Sequence, residues 1–376
     1  MSGIDAVALA IAPLQQPYQD KSHNIDSRKV TMMKLRIGVT GLRRGRTWIN
    51  TFSQDDRSDV IALCDIDPSL LKEFPATQKV TDFGDLLAMD LDAVVICTPP
   101  AYHAEQTVLA LESGKHVLCE VPATTTISEC RQIVNAVNKS GQKYMLAENS
   151  CYSDMHLTWK STVEDGNLGK IIYAEAEYIH DCRQLMKNDD GTLTWRASWP
   201  PIQYCTHSLG PLLFIADDRC VSAIGLSSGS NVAPDIGAID MEVGLFRTAN
   251  GTTIKILCGF SIERHPAFHW YIIYGTSGVL ESQRQYGDVA DANKPISGYY
   301  QVTKSDRNMK LRQSCAAAHG IAENRVACEF IESILNDTTP SIDVYRAMDY
   351  TVPGICAHLS AQKGGEPISV PDLRTN

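Results

Sequence analysis

Between Leu35 and Ala147, short apolar runs alternate with longer segments whose apolar residues recur at helical spacing. The runs are Leu35–Val39, Val60–Cys64, Ala93–Cys97, His116–Cys119 and Tyr144–Ala147. Between them lie helical stretches such as Thr47–Phe52, His103–Glu112 and Ile127–Asn138. A strand buried on both faces reads as a continuous apolar run, and strands alternating with helices imply crossovers, so this region predicts βαβ units and a parallel sheet. Residues 1–33 lose all periodicity after Leu14 and predict a loose extension.

After Asn149 the texture changes. Ile171–His180, Val221–Ser227, Ile239–Arg247, Thr252–Ile262 and Trp270–Leu280 are strand-like and follow closely on one another. Asn250-Gly251 between two of them is a hairpin signal, because the pair tolerates the positive φ that tight turns demand. Asn324–Leu335 is the one clear late helix. This second region predicts an α+β domain on a large, open, mostly antiparallel sheet.

The net charge of −10 and pI near 5.5 disfavour nucleic acid or an anionic membrane as partner, since phosphate binding needs clustered Lys and Arg. No run approaches the roughly 20 apolar residues that span a bilayer. The twelve cysteines form no C-x-x-C pair, and Cys64, Cys97, Cys119 and Cys258 sit inside apolar runs. They read as reduced core residues rather than disulfides or zinc ligands. Ala6–Leu14 is preceded by Asp5 and lacks a basic flank, so we expect no secretory leader and a cytoplasmic protein. No His, Asp and Glu trio has metal-ligand spacing, so no metal is expected.

Gly41 follows the first strand and opens a helix, where a dinucleotide fold wants G-x-G-x-x-G. Only that first glycine is in register; Arg43 and Arg46 hold the other two places, with Arg44 between them. A plain βα turn with solvated arginines is the bland alternative. Two features favour a cofactor. Asp65 ends the second strand 24 residues after Gly41, near the distance of about 20 at which an acid binds a ribose 2′-hydroxyl. Such a carboxylate repels a 2′-phosphate and favours NAD, although Arg43 and Arg44 keep NADP open. The third and fourth strands end in Thr98-Pro99-Pro100 and Glu120-Val121-Pro122, which face the same crevice beyond the strand ends.

Thr98-Pro99-Pro100-Ala101-Tyr102-His103, followed by the Glu120 loop, resembles the T-P-P-x-x-H and E-K-P loops of the glucose–fructose oxidoreductase, inositol dehydrogenase and rhizopine-catabolism (Gfo/Idh/MocA) family. The resemblance implies a Rossmann domain, here 34–149, and a substrate and oligomerisation domain, here 150–376. It also implies cofactor contacts by Gly41, Arg43, Arg44, Arg46, Asp65, Thr98, Pro99, His103, Glu120, Pro122 and Asn149. Val121 replaces the family's lysine, which handles the substrate proton. The ordered set Glu120-Val121-Pro122-Ala123, Glu148-Asn149-Ser150-Cys151-Tyr152, Tyr178-Ile179-His180-Asp181, Trp195-Arg196 and Tyr204-Cys205-Thr206-His207 is similar to the NAD-dependent glycosidases of the α-N-acetylgalactosaminidase type. That branch implies oxidation at the third sugar carbon, elimination of the anomeric group, hydration and re-reduction.

Oxidation of a sugar hydroxyl needs a base for its proton. The candidates are Tyr178, His180, Asp181, Tyr204 and His207. On a strand Tyr178 and His180 share one face. Imidazole titrates near neutrality, which suits His207, and the resemblance puts His207 at the carbon-bound proton and Tyr178 near the oxidised hydroxyl. Val121, Tyr152, Asp181, Trp195 and Arg196 are the substrate-contact candidates. Packing is the alternative for each, and for His265, His269 and Trp270 it is the expectation. Three functions follow in order: a sugar or glycoside dehydrogenase using NAD, a glycosidase with tightly bound NAD, and a non-catalytic NAD/sugar sensor. A homo-oligomer through the open sheet is expected for all three.

Overall fold

The computed structural model describes residues 34–74, 78–262, 264, 269–282, 298–302, 305–310 and 321–375. The expected loose segment 1–33, and His265, lie outside these residues.

The first half is a parallel sheet of six strands: β1 (Leu35–Thr40), β2 (Ser58–Cys64), β3 (Gln78–Val80), β4 (Ala93–Ile96), β5 (His116–Cys119) and β6 (Tyr144–Leu146). Their order is β3-β2-β1-β4-β5-β6. The chain reverses direction across the sheet between β1 and β4, which opens a crevice at their carboxyl ends. The crossovers are α1 (Leu42–Ser53), α2 (Pro68–Leu71), α3 (Phe83–Leu87), α4 (His103–Glu112) and α5 (Ile127–Ser140). β4 is buried at every position, which is why it reads as an unbroken apolar run.

After α6 (Asp154–Glu164) comes a nine-stranded mixed sheet: β7 (Ile171–Ile179), β8 (Cys220–Ser227), β9 (Met241–Thr248), β10 (Thr253–Gly259), β11 (His269–Gly275), β12 (Gly278–Ser282), β13 (Gly298–Val302), β14 (Ser305–Lys310) and β15 (Ile368–Ser369). The order is β14-β13-β12-β11-β7-β10-β9-β8-β15. Only β7 and β10 pair in parallel. β7 thus lies inside the sheet between β10 and β11, and its end carries the residues of interest. Asn250-Gly251 makes the predicted hairpin, with Gly251 at φ 87°.

Two expectations need correction. Trp270–Leu280 is not one strand but β11 and β12, parted at Thr276-Ser277, whose N–H groups donate to Lys170 O (3.0 Å) and Leu168 O (3.1 Å). The late helix α8 (Ile321–Leu335) is followed by a longer one, α9 (Val344–Gln362). α9 contains Pro353-Gly354 and is buried on most sides, so it shows no amphipathic period. With α7 (Thr206–Ala216) it covers the inner face of the mixed sheet. It comes so close to β8 that a Cβ on Gly225 would sit 1.9 Å from Ala357 O. α8 returns to the first half: Phe330 meets Phe52 of α1 edge-on at 6.4 Å. Lys34–Asn376 therefore make one contact-dense unit.

Candidate active site

The β1–α1 turn is built on Gly41 at φ 82°. A Cβ there would lie 2.5 Å from the carbonyl carbon of Cys97, so only glycine lets the turn pass this close to the end of β4. The close helix packing that a third glycine supplies in such turns is supplied here by Gly45, where a Cβ would meet Val39 at 2.8 Å. Asp65 clasps the turn: Leu42 N–H donates to Oδ2 at 2.7 Å and Asp67 N–H to Oδ1 at 2.9 Å.

The three arginines separate. Arg43 is exposed in the first turn of α1, where its charge reaches Asp67. Arg44 turns inward to Glu120 and lies 3.6 Å from Glu323 of α8. Arg46 pairs with Glu73 and lies over the Phe74 ring at 5.7 Å, so its charge is neutralised on the α2 side rather than at the glycine turn. Buried Glu120 also accepts from Trp48 Nε1 at 2.8 Å. Burial pushes its pKa up, but Arg44 and Trp48 outweigh this and hold it below the ordinary value. Asn149 Nδ2 donates to Glu323 at 2.9 Å, which completes the network.

His103 ties the two strand-end loops together. Its Nε2 lies 2.7 Å from Thr98 O and its Nδ1 2.8 Å from Pro122 O. Burial holds its pKa below the ordinary value. Pro99 begins the turn into α4, and Val121 is buried with a cis bond to Pro122.

The mixed sheet supplies the other wall. Tyr178, near the end of β7, stacks on Tyr204 (6.0 Å) and meets the edges of His207 (5.6 Å) and Phe260 (5.9 Å). Its hydroxyl is 3.5 Å from His180 Nδ1, as expected of residues sharing one strand face. Burial raises the Tyr178 pKa well above a free phenol's. Burial, then the charge of Arg196, lowers that of His180.

His207 stands in the first turn of α7, with Nδ1 2.7 Å from Glu148 Oε1 and 3.2 Å from Ser150 Oγ. Burial works against its charge, but Glu148 outweighs burial and raises the pKa. The charges of Glu120 and Arg44 also reach this ring, so the two halves converge here.

Trp195 and Arg196 belong to this neighbourhood. The guanidinium lies 4.4 Å above the indole, and its charge reaches Tyr178, His180 and Tyr204. Trp195 lines an open depression of about 420 Å³ with Leu193, Thr194, Ala197 and Ile236.

Two expected substrate contacts are engaged elsewhere. The Tyr152 hydroxyl donates to Glu329 at 2.8 Å and its ring packs near Phe214. Asp181 is gripped by Arg183 at 2.6 and 2.9 Å, in the segment that follows the end of β7.

Sequence reasoning missed Glu148 and His269. Glu148 follows β6 at the carboxyl edge of the parallel sheet, which was the available signal. His269 was expected to pack. It does, but inside the cluster, and burial and the charges of His207, His156 and His180 keep its pKa well below the ordinary value.

Known proteins share this layout. The oxidoreductase family with an NAD-binding Rossmann fold matches residues 35–148. Over 428 aligned residues the chain is 32% identical to a glycosyl hydrolase family 109 protein of Shewanella baltica, covering 98% of this chain and 91% of that one. It is 26% identical to an alpha-N-acetylgalactosaminidase of Bacteroides fragilis, covering 90% and 92%. Among solved structures, a levoglucosan dehydrogenase in complex with NADH and L-sorbose superposes with a TM-score of 0.78 at 17% identity, covering 91% of this chain and all of that one. The matched segment is an NAD-binding fold. Its residues fit the cofactor: the Gly41 cradle admits no side chain, α1 opens on it, and Asp65 stands at the β2 end where a ribose is held.

Proposed function

The chain belongs to glycosyl hydrolase family 109 and carries the NAD-binding Rossmann fold of the Gfo/Idh/MocA oxidoreductases, and on that footing we propose that it cleaves a glycoside by transient oxidation of a ring hydroxyl. The observation that carries this reading is the presence of two proton-handling units side by side, with the Tyr178 and His207 rings 5.6 Å apart. Tyr178 with His180 forms one, and His207 with Glu148 the other. A plain oxidation needs a base for one hydroxyl proton. Elimination needs a second base for a carbon-bound proton.

NAD, when bound, supplies a hydride acceptor that later returns the hydride. Gly41, Asp65, the His103-linked loops and Glu120 would hold it. Tyr178 donates its hydrogen bond toward His180 and passes on the proton of the hydroxyl at the third carbon. The resulting ketone acidifies the neighbouring proton, which His207 removes as the anomeric oxygen leaves. Water then adds across the double bond.

The dehydrogenase reading uses the same first step and stops there. Its support is the structural likeness to sugar dehydrogenases, whereas Val121 in place of the family's lysine counts against it. The deciding experiment offers aryl and alkyl glycosides to the purified protein in heavy water. Aglycone release with solvent deuterium at the second carbon, and no net NADH, fits the glycosidase. Steady NADH accumulation fits the dehydrogenase. Neither product from any glycoside removes both readings.

This reading includes self-assembly. The outward face of the mixed sheet exposes Leu226, Leu245 and Tyr274, and a second copy would bury them. Leu245→Asp is expected to lower the sedimenting mass, and a wild-type monomer at micromolar concentration would end the idea.

A further inference from the structure

We infer that Glu148 is a positioning residue that fixes the tautomer of His207 and keeps its ring basic. The inference rests on His207 being the second base of the proposed reaction. Glu148 is completely buried at the carboxyl end of the parallel sheet, whereas His207 begins a helix of the other half. Only one carboxylate oxygen is used. Oε1 accepts from Ser150 N–H at 3.1 Å and from His207 at 2.7 Å, and among the described residues Oε2 has no hydrogen-bond partner.

A carboxylate so placed dictates where the ring proton sits. Nδ1 carries it, so in the neutral ring Nε2 is the lone pair. Among the described residues Nε2 makes no hydrogen bond, which leaves it for substrate. Gly210 of α7 packs beside the carboxylate, at a position where a Cβ would lie in ordinary contact, 3.5 Å, with Glu148 Cγ. A carboxylate left this dry favours a positive neighbour, and His207 is the titratable group it touches.

Other groups face the same ring from every side. They are Arg44 of α1, Glu120 after β5, Ser150 after β6, Tyr178 and His180 of the β7 end, Tyr204 before α7, and His269 and Tyr271 of β11. Arg44 opposes protonation and Glu120 favours it. The Tyr271 hydroxyl donates to the His207 backbone carbonyl at 2.5 Å and lies 3.2 Å from His269 Nδ1, so it does not touch the His207 ring nitrogens. Glu148 alone joins charge to a direct hydrogen bond on Nδ1.

The test is Glu148→Gln in the full chain, which keeps the volume and an acceptor but removes the charge. Histidine side-chain ¹⁵N resonances, with His207 assigned by its loss in His207→Ala, are followed through a pH titration. The His207 pKa is expected to fall by about one unit or more. The acidic limb of kcat/KM should move to lower pH with it, and kcat should drop about tenfold to a hundredfold. Glu148→Asp keeps the charge and should restore part of the raised pKa. Ser150→Ala should leave the titration in place. A His207 titration in Glu148→Gln that coincides with wild type overturns the inference, as does a Ser150→Ala shift as large as that of Glu148→Gln. If the wild type turns over no glycoside, the proposed reaction fails, while the resonances still decide the pairing.

Discussion

The imidazole of His269 lies 4.7 Å from the Tyr178 ring at an angle of 21°, because the two residues face each other across the β7–β11 register. With Tyr204 also stacked on it, the Tyr178 ring is held by packing, independently of its hydroxyl. Tyr178→Phe therefore removes a hydrogen-bonding group without disturbing the stack.

That variant should slow formation of enzyme-bound NADH about a hundredfold, the scale of losing a positioned proton carrier. His207→Ala should behave differently. It should allow a single round of bound NADH to form while aglycone release stops. Slowed NADH formation in His207→Ala would support the dehydrogenase instead. Single-turnover absorbance of the reduced nicotinamide separates the cases, and full activity in both variants would place the chemistry elsewhere.

NAD should bind more tightly than NADP, because the Asp65 carboxylate stands at the ribose end. Asp65→Ala should weaken NAD by about tenfold or more, the worth of a hydrogen bond to a charged group, and narrow the gap to NADP. Arg43→Ala should weaken both dinucleotides. Arg46→Ala should leave both unchanged, since Glu73 already takes that charge. Fluorescence titration at one salt concentration measures all three, and a loss on Arg46→Ala equal to that on Arg43→Ala would contradict the assignment.

Trp195 should bind substrate rather than act on it. Trp195→Ala is expected to raise KM for aryl glycosides by about threefold to tenfold, the range of one aromatic contact, while kcat changes little. An equal loss for methyl and aryl glycosides would argue against a ring resting on the indole.

Acid should destabilise the fold through histidines buried in neutral form. Burial drops His156 to about 4, and His269 and His103 shift in the same direction. The unfolded chain thus takes up protons first as pH falls. Stability is complete above about pH 6.5 and is lost progressively below it, by up to ~3 kcal/mol from His156. His207 has the opposite sign, contributing stability at low pH that disappears as pH rises through its raised pKa. Melting temperatures from pH 7 to pH 5 should fall, and His156→Gln should flatten the slope. An unchanged slope would show that His156 is not the group titrating.

The parallel sheet was legible because β4 and its neighbours are buried on both faces, so hydrophobicity alone marks them. β3 was not, since its three residues Gln78–Val80 are largely exposed and carry no apolar signal. Among site residues, His207 and Tyr178 were legible because their residue types suit proton transfer. Glu148 was not, because what distinguishes it is a neighbour 59 residues away. Arg46 was misplaced for a related reason. Helical spacing sets its direction, but the carboxylate that captures it belongs to the next crossover. Backbone pattern is written locally, whereas pairing between charges is decided by the finished fold.

Glu323 lies on α8, near the chain's end, yet its carboxylate is part of the lattice that holds Arg44, the third residue of α1. The nucleotide-binding half is therefore not a transplantable module. Cut out at residue 149 and grafted to another partner, it would keep Glu120 as counter-ion but lose Glu323, the Asn149 anchor and the Phe330 ring packed on Phe52. Chimeras that exchange cofactor halves between relatives would need to carry α8 along with them to keep these contacts.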